Sequence, residues 1–292
     1  FLLVGALLLA GGFSTMNADV IYVTESGSGD GTSWSSAASL EDALSWAAAG
    51  DEVFVAKGTY TGSFKLRAAA KVYGNCVGTE TEPPTYTTAE GLETFLKGPG
   101  GKRVLYLDGK ASEIYGLDIS GGDASTETTG VGRGGGVYIN NGGATLKYCN
   151  IHDNIGVDGS KNILGSNGKA LKGVGGGLYV LNGRLENCII ENNIATTAPW
   201  EDTSKTWSTG IGGGICLDAT EGNGCNPDNA IVLNCIIRNN STTPTDDGDS
   251  FQSQGGGIAI KSGKLINSLV VGNSVNGSLN NQSVGGGVCC TE

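Results

Sequence analysis

A phrase of three glycines, an apolar strand, Asn-Cys-x-Ile and a closing Asn recurs along the chain. It reads GGGVYINNGGATLKYCNIHDN from Gly134, GGGLYVLNGRLENCIIENN from Gly175, GGGICLD…IVLNCIIRNN from Gly212 and GGGIAIKSGKLINSLVVGN from Gly255. A fifth copy opens with GGGVCC at Gly285. The triplets are 41, 37, 43 and 30 residues apart, so the core phrase is kept while its spacing varies. That combination is the mark of a solenoid that accepts insertions between its coils.

The apolar spacing says which solenoid. Val137/Ile139, Leu178/Val180, Ile215/Leu217 and Ile258/Ile260 alternate with a period of two, so they lie on strands. A second strand is expected in each copy, over 146–151, 185–190, 232–237 and 265–270. The inserts are rich in Gly, Ser, Thr, Asn and Asp and carry no helical period, which argues against helical and leucine-rich repeats. Short strands and tight corners, coil upon coil, make an all-β parallel β-helix.

Stacking at about 4.8 Å turns equivalent positions into columns. Cys149, Cys188 and Cys235 form one column, continued by Ser268. Asn154, Asn193, Asn240 and Asn273 form another, where carboxamides can bond up and down the stack. Asn187, Asn234 and Asn267 make a partial third, and the Gly triplets suit bends with positive φ or close backbone approach. These residues are expected to be scaffold.

The chain has 292 residues and a net charge of −11, with no basic cluster, which argues against a nucleic-acid partner. FLLVGALLLAGGFSTMNA reads as the apolar part of a signal peptide, with cleavage after Ala18 and the sequence beginning inside the signal. Its apolar run is short for a membrane span, so export without stable membrane insertion is expected. Export permits disulfides, and Cys216 and Cys225, bracketing DATEGNG, are spaced for a loop bridge. GGGVCCTE breaks off inside a coil, so the expectation is a fragment or a protein that continues. The organisation expected is a signal over 1–18, an N-terminal cap and first strand over 19–60, and β-helix coils over 61–292.

In the cap, Val20–Thr24 is a strand, and a short helix is expected near 40–49. Ser39 is its N-cap with Asp42 in the capping-box place, Gly50 follows its end, and Leu40, Ala43, Leu44 and Ala47 form one apolar face. The helix would shield the first coil, and DEVFVAKGTY continues as a strand.

The stretch YVTESGSGDGTSWSSAASLEDAL…AAAGDEVFVAKGTYTG resembles the N-terminal cap of secreted right-handed parallel β-helix proteins with the pectin-lyase-like fold. VYGNCVGTETEPPTY and GLDISGGDA resemble the next coils of bacterial surface proteins of that group. The GGG…Asn-Cys-x-Ile-x-x-Asn repeats are similar to those of polymorphic outer-membrane proteins, departing from them by a third Gly and by Ile or Val in place of Phe. The resemblance implies a right-handed parallel β-helix with a short N-terminal capping helix. It implies no single activity, because the fold serves lyases, hydrolases, adhesins and phage spikes alike.

Lyases of that fold use an Arg or Lys base with calcium held by acids, and hydrolases use Asn-Thr-Asp, Asp-Asp and Gly-His-Gly phrases on neighbouring coils. His152, the one histidine, stands in IHDN and does not match. Arg133, Arg184 and Arg238 match no base motif. His152 and Asp153 align with Glu191/Asn192 and Arg238/Asn239, and a solvated face open to any polar residue is expected there. No catalytic residues are assigned.

The inserts occupy the same point of each repeat, over 155–174, 194–211, 241–254 and 274–284, and so emerge along one edge. One carries Trp200 and Trp207 beside Glu201 and Asp202, and the next carries Phe251, residue types suited to stacking on sugar rings and bonding hydroxyls. The alternative for the two tryptophans is that they fold back over the strand beneath. Asp246, Asp247 and Asp249 in TTPTDDGDS are either a solvated acidic loop or a calcium site; no other cofactor is expected. Three functions stay open: an adhesin-like surface protein binding a glycan or a partner protein, a polysaccharide lyase or glycoside hydrolase, and a structural spacer.

Overall fold

The computed structural model describes residues 18–109, 111–159, 172–197, 210–219, 228, 230–242, 253–275 and 284–290. Three long parallel sheets run along the axis. Sheet I orders Val20–Val23, Glu52–Ala56, Lys71–Cys76, Glu113–Tyr115, Ala144–Lys147, Gly183–Glu186, Ala230–Leu233 and Lys264–Ile266. Sheet II runs from Gly58–Thr61 to Leu269–Val271, and sheet III from Phe64–Leu66 to Val288–Cys290, each of seven strands. One coil visits Ala144–Lys147 in sheet I, Asn150–His152 in sheet II and Leu178–Val180 in sheet III, then returns to sheet I at Gly183–Glu186. Parallel crossovers of this kind are right-handed, and the fold is a right-handed parallel β-helix.

The alternation places every second side chain of each short strand inside. Val53, Val72, Ile114, Leu146, Leu185 and Val232 line the axis from sheet I, and Leu96, Ile119, Ile151, Ile190 and Ile237 from sheet II. Sheet III contributes two per strand, such as Val137/Ile139 and Leu178/Val180, because both its ends turn inward. All belong to one cluster, which supplies the hydrophobic stabilisation of the solenoid.

Several expected strands are divided. The segments 185–190, 232–237 and 265–270 each break at Asn187, Asn234 and Asn267, whose φ values are 55°, 54° and 45°. A left-handed residue turns the chain from sheet I into sheet II, and Asn tolerates that conformation better than most. Tyr148 takes the same corner with φ 53°. DEVFVAKGTY likewise divides, at Lys57, into Glu52–Ala56 in sheet I and Gly58–Thr61 in sheet II.

The helix spans Leu40–Trp46, shorter than the pattern suggested, because Ala47 has already left helical geometry. Ser39 caps it: its Oγ accepts the Asp42 amide at 3.1 Å and donates to the Asp42 carboxylate at 2.7 Å. Leu40, Ala43 and Leu44 are buried in the same core cluster as Val55, Leu66 and Val72 of the first coils. Among the described residues, no helix is long and apolar enough to cross a membrane.

Candidate functional site

The edge from which the inserts leave is built by three devices. The first is a row of carboxamides. Asn154 Nδ2 donates to Asn193 Oδ1 at 3.0 Å, Asn193 Nδ2 to Asn240 Oδ1 at 3.0 Å, and Asn240 Nδ2 to Asn273 Oδ1 at 2.9 Å. Each Oδ1 also accepts the amide of the Asn one coil earlier. Asn154, Asn193 and Asn240 are fully buried. The residue before each, Asp153, Asn192, Asn239 or Gly272, has φ between 52° and 66°. The corner therefore selects Asp, Asn or Gly, which corrects the expectation that any polar residue fits beside His152.

The second device is the glycine triplet. Gly175 has φ 67°. A Cβ on Gly176 would lie 2.4 Å from the carbonyls of Gly213 and Ile194, and one on Gly177 would lie 2.8 Å from Asn193 Nδ2. One glycine is needed for conformation, the next for coil stacking, and the third because the Asn row packs against it. The third Gly, an oddity in the sequence, is thus the contact that closes each copy, joining the root where one insert ends to the root where the next begins.

The third device is extra pairing at the roots. Ile155–Val157, Ile194–Thr196, Ser241–Thr242 and Ser274–Val275 form a four-stranded parallel sheet, and Gly173–Val174 pairs with Gly210–Ile211. Ile211 continues to Gln254 and Val284 by single bridges. The inserts are therefore shorter than the repeat spacing implied, since their first and last residues are sheet. Trp200, Glu201, Asp202, Trp207, Asp246, Asp247, Asp249 and Phe251 all lie outside the described residues, as does Cys225; Cys216 is buried on sheet III.

Beyond the glycines, the outer face of sheet III carries a row that the sequence reading missed. Lys65, Tyr106, Tyr138 and Tyr179 stand in register. Neighbouring tyrosine rings meet edge to face at 5.2 and 5.1 Å. Lys65 Nζ lies 4.3 Å from the Tyr106 ring centre, the Arg103 guanidinium 4.8 Å from that of Tyr138, and the Arg133 guanidinium 4.9 Å from that of Tyr179. Tyr179 donates to the buried Asp218 carboxylate at 3.0 Å, which Lys261 also reaches at 2.6 Å. Arg103 is almost fully buried and donates to the carbonyls of Gly134, Thr129, Gly130 and Arg133. Burial lowers its pKa, and Glu127, 4.0 Å away, works in the opposite direction. Arg103 thus ties the segment 129–134, which ends at the first glycine of the first triplet, to the coil below. The signal was available as Tyr at the centre of three short apolar phrases, LYL, VYI and LYV.

On the outer face of sheet II, His152 is held from both sides. Its Nε2 lies 2.8 Å from Asp118 Oδ1 and its Nδ1 2.7 Å from Asp153 Oδ2, while Asn150 Nδ2 donates to Asp118 Oδ2 at 3.2 Å. The Asp118 hydrogen bond, aided by that of Asp153, raises its pKa to about 9 against the opposing effect of burial. At neutral pH both ring nitrogens carry protons and both are engaged, so the ring is an ion-pair centre with no free nitrogen to accept a proton. His152 is therefore packed and paired, where a solvated face was expected. Asp118 comes from the previous coil, and only the register reveals it.

The cysteines of the inner column are free and buried. Cys149, Cys188 and Cys235 direct their thiols at the carbonyls of Lys147, Glu186 and Leu233 at 3.3 to 3.4 Å. Burial pushes the Cys188 thiol well above its usual range, so it behaves as a small apolar group. Ser268 replaces the thiol in the next coil and accepts the Cys235 amide at 3.1 Å.

No family model and no curated protein matches the chain. Among solved structures, the pectin methylesterase from Aspergillus niger is similar over 92% of this chain and 84% of its own, with 13% identity and a TM-score of 0.40. The pectate lyase Pel9A is similar over 90% of this chain and 79% of its own, with 13% identity and a TM-score of 0.33.

Proposed function

We propose that the chain is an exported, surface-associated β-helix that binds a glycan or a surface protein through the inserts along one edge, in an adhesin-like and non-catalytic way. The observation that carries this reading is the stacked neck. In each copy the Asn that starts the next insert touches the third glycine of the triplet that ended the previous one, so the roots of successive inserts are joined along one stacked line. Trp200 and Trp207, with Glu201 and Asp202, fall in sequence within one insert and Phe251 within the next, and would provide ring-stacking and hydroxyl-bonding groups there. The Tyr106, Tyr138 and Tyr179 row and its cations lie beside it and add a stiff floor. Calcium at Asp246, Asp247 and Asp249 would fit the same edge.

One Trp ring over a sugar contributes on the order of 1–2 kcal/mol from about 25 cal/mol per Å² of apolar burial. That gives weak binding, which display of several copies strengthens. The test is a glycan array probed with wild type and with Trp200→Ala/Trp207→Ala, their melting curves compared. Loss of binding at unchanged stability supports the reading, and equal binding by both places recognition elsewhere. An array on which the wild type binds nothing moves the spacer reading ahead.

A further inference from the structure

We infer that the N-terminal end of the solenoid receives an extended acidic peptide by strand addition, at a groove separate from the insert edge. Sheet III ends at Phe64–Leu66, which has a partner strand on one side only. Phe64 gives its amide to Val104 O at 2.7 Å, and Leu66 O accepts the amide of Asp108 at 2.9 Å. In a parallel ladder the residue between two such partners turns its N–H and C=O the other way, so the backbone of Lys65 points out of the sheet. It points into a groove of about 540 Å³ whose other wall is the helix: Glu41, Leu44 and Ser45 stand on that side, facing Ser63, Lys65 and Arg67.

This edge is recessed. An exposed flat edge invites any strand, whereas one set behind a helix admits a single extended segment. Ser45 and Ser63 offer hydroxyls, and Leu44 with Ala68 gives a small apolar floor. A strand entering here directs alternate side chains to that floor and to solvent. On the solvent side it meets Arg67, which is exposed and makes no ion pair among the described residues, and Lys65, whose ion pair with Asp108 is long at 3.5 Å and whose Nζ lies over the Tyr106 ring. Two cations, one on the receiving strand and one just after it, in a chain with net charge −11 select an acidic segment from a protein partner. Glu41 on the opposite wall sets its sidedness by repelling a second row of acids. The groove is made wholly of residues 41–68, so its fate does not depend on the inserts.

The probe is a fluorescently labelled heptapeptide of alternating Val and Glu, compared with its Val/Lys counterpart by anisotropy. The acidic peptide should bind at least about tenfold more tightly, a difference of about 1.4 kcal/mol. Arg67→Glu, a change at the surface, should remove that preference. Lys65→Pro deletes the outward N–H without touching the ladder and should abolish binding, while Lys65→Ala, which also loses the side chain, should retain most of it. Equal binding of the two peptides, or Lys65→Pro binding as well as Lys65→Ala, overturns the inference. So does absence of binding at millimolar peptide. Self-association of the protein that disappears in Lys65→Pro also overturns it, by making a second copy the occupant.

Discussion

Replacing Asn193 by Ala removes the carboxamide at the middle of the neck. That group makes four hydrogen bonds: its Oδ1 accepts from Asn154 N at 3.1 Å and Asn154 Nδ2 at 3.0 Å, and its Nδ2 donates to Ile151 O at 2.9 Å and Asn240 Oδ1 at 3.0 Å. Four bonds at about 1 kcal/mol each set a scale of about 4 kcal/mol. Some partners keep alternatives, since Asn154 Nδ2 still reaches Ile119 O and His152 O, and Asn240 Oδ1 still receives the residue-193 amide. The buried Asn154 amide loses its acceptor, so the net cost should be about 3 kcal/mol. Asn273→Ala is the internal control. It loses three comparable bonds, but the residue is half-exposed and water can replace them, so about 1 kcal/mol is expected. Urea unfolding followed by circular dichroism gives both values, with hydrogen exchange to show that the same coils open in each variant. An Asn193→Ala protein within about 0.5 kcal/mol of wild type, or no worse than Asn273→Ala, would refute the account of the neck.

Two further outcomes follow from buried charge. His152 has a folded pKa of about 9 against 6.5 when unperturbed, so its stabilisation is complete below pH 6.5 and fades as pH rises to 9. The ceiling is about 3 kcal/mol; with 23% of the side chain exposed, a loss of about 1–2 kcal/mol is expected over that window, absent in His152→Gln. Stability of the wild type relative to His152→Gln that holds level or rises from pH 6.5 to 9 would contradict the Asp118 and Asp153 pairing. Arg103→Lys cannot reach four carbonyls with one ammonium, and should destabilise by about 3–5 kcal/mol. A melting curve unchanged by that swap would show that the guanidinium fork is dispensable.

The fold was legible because burial in a β-helix is local in period. Val137/Ile139 and Leu178/Val180 alternate in the sequence as they do in space. The corners were not, although they left a trace. In 185–190 the inward residues are Leu185, Cys188 and Ile190, a slip of phase at Asn187 that an unbroken strand would not show. The helix end and the split at Lys57 escaped for the same reason, since apolar residues continue across a bend. The neck's two halves were visible separately, as an Asn and as three glycines, but their contact closes a whole turn of the chain, as from Gly177 to Asn193. Asp118 and His152 are 34 residues apart, and nothing in either neighbourhood predicts the meeting. The Tyr179–Asp218 bond spans 39 residues and was hidden likewise.

The pairing that holds Ile194–Thr196 and Gly210–Ile211 on the coil below, with Ala195 against Gly210, has a consequence for how such a chain can change. Closing a loop of twice the length adds only about 0.6 kcal/mol of entropy when its ends are already held together. Here the ends are held by the scaffold itself, so residues added or exchanged between Thr197 and Gly210 leave the coils above and below undisturbed. Insert composition is then nearly uncoupled from folding, and a new ligand can be tried at one coil without renegotiating the rest. A solenoid of this kind behaves as a rack of independent cassettes, each replaceable by itself.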